Sequence, residues 1–146
     1  MACCALASRQ TLPSWLLAQE RAGHADGELV ILIDAVASAC RRVASLVARA
    51  SLSGNTGLAS GANASGDEQK KLDVLANDVF VAAVRDCGRC SILVSEEEDE
   101  PIGLVSSSNY IACFDPIDGS SNLDAAIATG SIFGVCACQH EQRLMS

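Results

Sequence analysis

Hydrophobic residues in this chain recur with two different periods. From Gly27 to Ala50, Leu29, Leu32, Val36, Cys40, Val43 and Val47 return every three or four residues. An α-helix turns once in 3.6 residues, so this spacing predicts one long helix with a single buried stripe. Arg41, Arg42 and Arg49 fall towards its C-terminal half, where cations suit the helix dipole. Thr11 to Gln19 carries a shorter amphipathic pattern. Leu72, Leu75, Val79 and Ala83 predict a further helix that follows Gly66-Asp67 and runs to about Asp86, with Gly88 as its stop. Ser91 to Ser95, Tyr110 to Phe114 and Ser131 to Cys136 are short apolar runs of the strand type. Ser51 to Gly66 is rich in Ser, Gly, Ala and Asn and reads as a linker loop. Asp115 to Asp124 reads as a turn that leads into a short helix. The residues after Cys136 are polar and few, and predict no further element. Strands alternating with helices give a layered α/β fold, and three strands alone leave edges in want of partners.

The length of 146 residues predicts one domain. Hydrophobic residues make up 49% and aromatics 3%, so the core is built mainly from aliphatic side chains and cysteine. The net charge of -8 opposes binding to a phosphate backbone, which argues against a nucleic-acid partner. Carboxylates suit hard cations such as Mg²⁺, although a solvated acidic surface has the same composition. No apolar run approaches the roughly 20 residues of a membrane-spanning helix, and Met1 to Ala7 lacks the form of a signal peptide. Residues 1–10 read as a disordered leader, 11–136 as the folded region and 137–146 as a divergent tail. Of the eight cysteines, Cys87 and Cys90 have a redox-like spacing. They read as incidental thiols at a helix end, and no second ligand pair suggests zinc.

Three acidic clusters carry candidate chemistry. In Asp115-Pro116-Ile117-Asp118-Gly119-Ser120-Ser121, two carboxylates flank a proline-stiffened turn after an apolar strand. Both could face one cation, with the Ile117 carbonyl as a third oxygen. Gly119 permits close backbone approach, and Ser120 and Ser121 would open a helix whose free N–H groups cradle a phosphate. A cation and a phosphate would then meet at one point, as phosphoryl hydrolysis requires. Ser95-Glu96-Glu97-Glu98-Asp99-Glu100 lies at another strand end. Most of it reads as solvated, but the strand delivers Glu96 and Glu97. In Asp67-Glu68-Gln69-Lys70-Lys71-Leu72-Asp73, Asp67 is either a helix N-cap or a ligand. Asp73 is either an ordinary exposed helix residue or part of a site.

Taken together, Gln69 to Val74, Ser95 to Asp99 and Asp115 to Asp124 resemble the fructose-1,6-bisphosphatase family in order and spacing. The resemblance runs from about Thr11 to Val135. Ser120-Ser121-Asn122-Leu123-Asp124 and Gly130-Ser131-Ile132-Phe133-Gly134 separate it from the related lithium-sensitive, inositol-phosphate class and from the sedoheptulose enzyme. Gln19 to Gly23, Ala44 to Val47, Glu96 to Pro101 and Asp124-Ala125-Ala126 lean towards the plastid type, so plastid is favoured over cytoplasm.

The resemblance implies the N-terminal half of a layered αβαβα sugar-phosphatase fold. It also implies Mg²⁺-dependent hydrolysis of the 1-phosphate of fructose 1,6-bisphosphate, with Mn²⁺ as a substitute. In that reading Asp67, Glu96, Asp115, Asp118 and the Ile117 carbonyl hold metal. Asp73 and Glu97 position and activate the attacking water, and Asp118, Gly119, Ser120 and Ser121 hold the sugar's 1-phosphate. The family's later acidic ligand and its 6-phosphate residues have no match here, so the chain alone is expected to be inactive. The family assembles as homotetramers. The alternative is a catalytically dead module that docks on full-length subunits.

Overall fold

The computed structural model describes residues 10–53, 58–62, 68–105, 107–121 and 128–138. The elements run α1 (Leu12–Arg21), α2 (Gly27–Ser53), β1 (Leu58–Ala62), β2 (Glu68–Lys70), α3 (Lys71–Cys87), β3 (Ile92–Ser95), β4 (Ile102–Gly103), β5 (Tyr110–Asp118) and β6 (Gly130–Ala137). The expected leader, except residue 10, and most of the expected tail lie outside the described residues.

Capping sets the helix starts. Thr11 Oγ1 accepts from the Ser14 N–H at 3.4 Å, and Pro13 suits a first turn whose N–H groups lack helical partners. Asp26 Oδ1 accepts from the Leu29 N–H at 2.8 Å and so caps α2. Its other oxygen accepts from the Tyr110 hydroxyl at 3.0 Å, which ties the start of α2 to the start of β5. At Gly88 the backbone reaches φ +63, a left-handed conformation that ends α3.

The main sheet has the order β4-β3-β5-β6. β3 and β5 are parallel, with Leu93 opposite Ala112 and Ser95 opposite Phe114. β4 and β6 run antiparallel to their neighbours. The class is therefore α/β with a mixed sheet. α3 packs on β3 and β5, and α2 packs on α3. Leu93, Ala112 and Phe114 on the covered face join Leu32, Val36, Ala39 and Val43 of α2 and Leu72, Ala76, Phe80 and Val84 of α3 in one core. All three phenylalanines of the chain meet there: Phe80 lies 5.5 Å from Phe114 and 4.9 Å from Phe133, and Phe114 lies 5.8 Å from Phe133, centroid to centroid.

Five expectations are corrected. The linker from Ser51 to Gly66 holds the end of α2 and the strand β1, which pairs with β2. Because 68–70 are extended in that pairing, the third helix starts at Lys71 instead of just after Asp67. Its buried stripe is Leu72, Ala76, Phe80 and Val84, with Leu75, Val79 and Ala83 only half-buried beside it. The reason is that α3 lies between α2 and the sheet and buries a wide face. Strand β5 continues through Asp118, where a turn was expected from Asp115. A register shift between Asp115 and Asp118 takes up Pro116, which has no N–H to give to a ladder. The fourth strand β4, two residues long, adds an edge the periodicity did not predict.

Candidate metal and phosphate site

Parallel strands deliver the two principal carboxylates side by side. β3 ends at Ser95, and the Glu96 N–H continues the ladder by donating to Phe114 O at 3.0 Å. Asp115 follows Phe114 directly. Glu96 and Asp115 therefore stand at adjacent strand positions. Together with Val94, Cys113, Phe114 and Ile132 they line a cavity of about 290 Å³.

The electrostatics of Asp115 record this crowding. Its carboxyl is pushed above the usual carboxylate range, first by burial and then by the negative charge of Glu96, with Asp118 and Asp73 adding to it. The Ile117 N–H, donating to Asp115 Oδ1 at 3.0 Å, offsets part of the shift. Three acidic residues, from the β3 turn, β5 and α3, thus act on Asp115 at one end of the sheet. Carboxylate crowding of this kind is relieved by a cation that takes oxygen donors.

All the expected site residues except Asp67 lie among the described residues. Asp73, in the first turn of α3, is 2% exposed, which excludes its reading as an ordinary exposed helix residue. Glu96 and Glu97 are half-buried in the turn after β3, and Asp118 is exposed at the end of β5. The Ile117 side chain belongs to the core, which leaves its backbone for any role at the site. Gly119 has φ +83, a conformation glycine adopts without strain, and so turns the chain sharply after Asp118. Ser120 and Ser121 have 3₁₀ conformation. The helix expected after them lies outside the described residues, and so does Asp67. Among the described residues no three His, Cys, Asp or Glu side chains converge tightly enough to hold a metal ion. The oxygen-only donor chemistry fits Mg²⁺, but the described residues alone do not make a closed cage.

Sequence reasoning missed two polar residues here. Asn77 and Ser95 are 5% and 3% exposed, and they bond to each other beneath the acidic turn. The available signal was the spacing of Asp73 and Asn77, four apart and hence on one helix face.

Comparison with known proteins decides the family. The sequence profile described as "Fructose-1-6-bisphosphatase, N-terminal domain" matches residues 10–145. This chain belongs to the fructose-1,6-bisphosphatase family. Over 128 residues it is 52% identical to the chloroplastic fructose-1,6-bisphosphatases of Brassica napus and of Spinacia oleracea. In both cases the alignment covers 86% of this chain and 31% of the relative. The chain thus spans about a third of the length of the curated relatives it matches. The fructose-1,6-bisphosphatase of Leishmania major in holo form superposes with a TM-score of 0.83 at 34% identity, covering 93% of this chain and 41% of that one. The apo form of the same protein superposes at 0.72 with 28% identity.

Proposed function

We propose that this chain carries the metal-binding and 1-phosphate-binding end of a plastid fructose-1,6-bisphosphatase. The reaction is hydrolysis of fructose 1,6-bisphosphate to fructose 6-phosphate and phosphate. Asp115, Asp118, Glu96, Asp67 and the Ile117 carbonyl would hold Mg²⁺, or Mn²⁺ in its place. The cation supplies charge neutralisation on the phosphoryl and leaving oxygens. Asp73 and Glu97 orient the attacking water and accept its proton as its oxygen bonds to phosphorus and the C1 oxygen leaves. The backbone from Asp118 to Ser121, turned by Gly119, offers N–H groups to the 1-phosphate. Plastid location is supported by the chloroplastic relatives.

One observation carries this reading. Asp115 stands beside Glu96 at adjacent strand ends, and its carboxyl is pushed up first by burial and then by the charges of Glu96, Asp118 and Asp73, which the family resemblance names as its partners. Binding of the cation is the part of the activity that these residues can be tested for directly. Isothermal titration of the purified chain with Mg²⁺ and Mn²⁺ should give weak binding, weakened by roughly tenfold or more in Asp115→Asn, as expected for loss of a ligand. Absence of binding at millimolar metal would count against the site.

A further inference from the structure

Beneath the acidic turn lies a buried amide with no role in the reading above. Asn77 sits one helical turn after Asp73 and is 5% exposed. Both ends of its amide are bonded. Nδ2 donates to Glu98 Oε1 at 2.8 Å, and Oδ1 accepts from the Ser95 hydroxyl at 2.7 Å. The same hydroxyl oxygen accepts from the Glu97 N–H at 3.2 Å. The Glu98 N–H closes back on Ser95 O at 3.4 Å. Residues 95 and 98 bracket Glu96 and Glu97, so one amide grips both ends of the turn that presents them. The helix that provides the grip is the one that carries Asp73.

We propose that Asn77 is a positioning residue, which acts through Ser95 and Glu98 to fix Glu96 and Glu97 relative to Asp73. Its consequence for metal binding rests on the function proposed above, whereas its effect on the turn does not. A buried primary amide is costly unless its donors and acceptor are used, and here they are used on the turn itself. The arrangement is specific, because an aliphatic residue at 77 would fill the space but leave the Ser95 hydroxyl without its acceptor and release Glu98. Glu98 enters as an acceptor, so its charge is dispensable and its oxygen is not. Gln at 98 keeps that oxygen.

The test compares the wild-type chain with Asn77→Ala, Glu98→Ala and Glu98→Gln. Amide hydrogen exchange followed by NMR reads the turn, and electron paramagnetic resonance titration with Mn²⁺ reads the site. In Asn77→Ala and Glu98→Ala the Glu96 and Glu97 amides should exchange faster than any general loss of protection in α3 and β5 accounts for. Mn²⁺ affinity should fall about tenfold or more in the same two variants, the usual effect of removing support from behind a ligand. Glu98→Gln should match the wild type in both measurements. Unchanged exchange at Glu96 and Glu97 in Asn77→Ala would overturn the proposal. Equal loss of affinity in Glu98→Gln and Glu98→Ala would do so too, because Glu98 would then act by its charge. If the wild type takes up no Mn²⁺ while Asn77→Ala loosens the turn selectively, the metal reading fails and the positioning role stands.

Discussion

Asp115 carries its charge in an unfavourable place. Burial and the neighbouring carboxylates raise its pKa above the ordinary 3.8. The folded chain therefore holds this proton more tightly than the unfolded chain does. The stability associated with it is fully present below the unfolded pKa and is lost as pH rises through the folded value. Without divalent cations, Asp115→Asn should be more stable than the wild type at neutral pH, and the gap should close as pH falls towards 3.8. Urea denaturation across that range measures it, and a gap that does not vary with pH would show that charge is not the cause. Added Mg²⁺ should narrow the gap by stabilising the wild type more. Much at this scale was legible beforehand. Asp115, Asp118 and Glu96 stood out because apolar runs end at them, and strand ends are where a parallel pair delivers side chains. The burial of Asp73 and Asn77 was not legible from hydrophobic periodicity, which counts apolar residues and passes over a polar one on the buried face; only their spacing of four pointed to a shared face.

Among the elements, α3 has the most depending on it, because it joins the sheet to α2 and also carries Asp73 and Asn77. Phe80 is fully buried and touches both other phenylalanine rings. Phe80→Ala should cost about 3–5 kcal/mol, the usual range for a buried aromatic. Val74→Ala, on the same helix with the side chain 36% exposed, should change stability by no more than about 0.5 kcal/mol. Chemical denaturation of the two variants measures the difference, and similar losses would place the core elsewhere. The long helices were legible from apolar spacing, since α2 agrees with its predicted start at Gly27. The ribbon of β1 and β2 was not. Leu-Ala-Ser-Gly-Ala has no strand-forming residues, and it is a strand only because Glu68 to Lys70 pair with it. The same holds for β4, which exists through its pairing with Ile92 and Leu93. Both β1 and β4 owe their extension to a paired neighbour and not to their own composition, so neither carries a strand signal of its own.

The whole chain presents a sheet with two unlike faces. α3 covers one, while on the other Ile92 and Val94 remain 38% exposed and Ile132 56%. Asp115 and Glu96 line the cavity on that second side, beside Val94 and Ile132. Apolar surface beside a charged site suits packing against further structure of a layered fold, and the curated chloroplastic relatives are about three times as long as this chain. The family was legible from three short motifs in a fixed order, and the family profile matches residues 10–145. Among the described residues, no helix is long and apolar enough to cross a membrane. The most direct test joins residues 1–135 to the remaining part of a chloroplastic fructose-1,6-bisphosphatase and compares kcat for two substitutions. Asp118→Asn keeps the shape of the turn but removes a charge from the proposed metal and phosphate site. It should lower kcat by about a hundredfold or more, equivalent to roughly 3 kcal/mol of lost transition-state stabilisation. Asp99→Asn, exposed in the acidic run, should leave kcat within about twofold. Equal and small effects of the two would mean that the Asp-Pro-Ile-Asp-Gly turn is structural, and would contradict the assignment of the site.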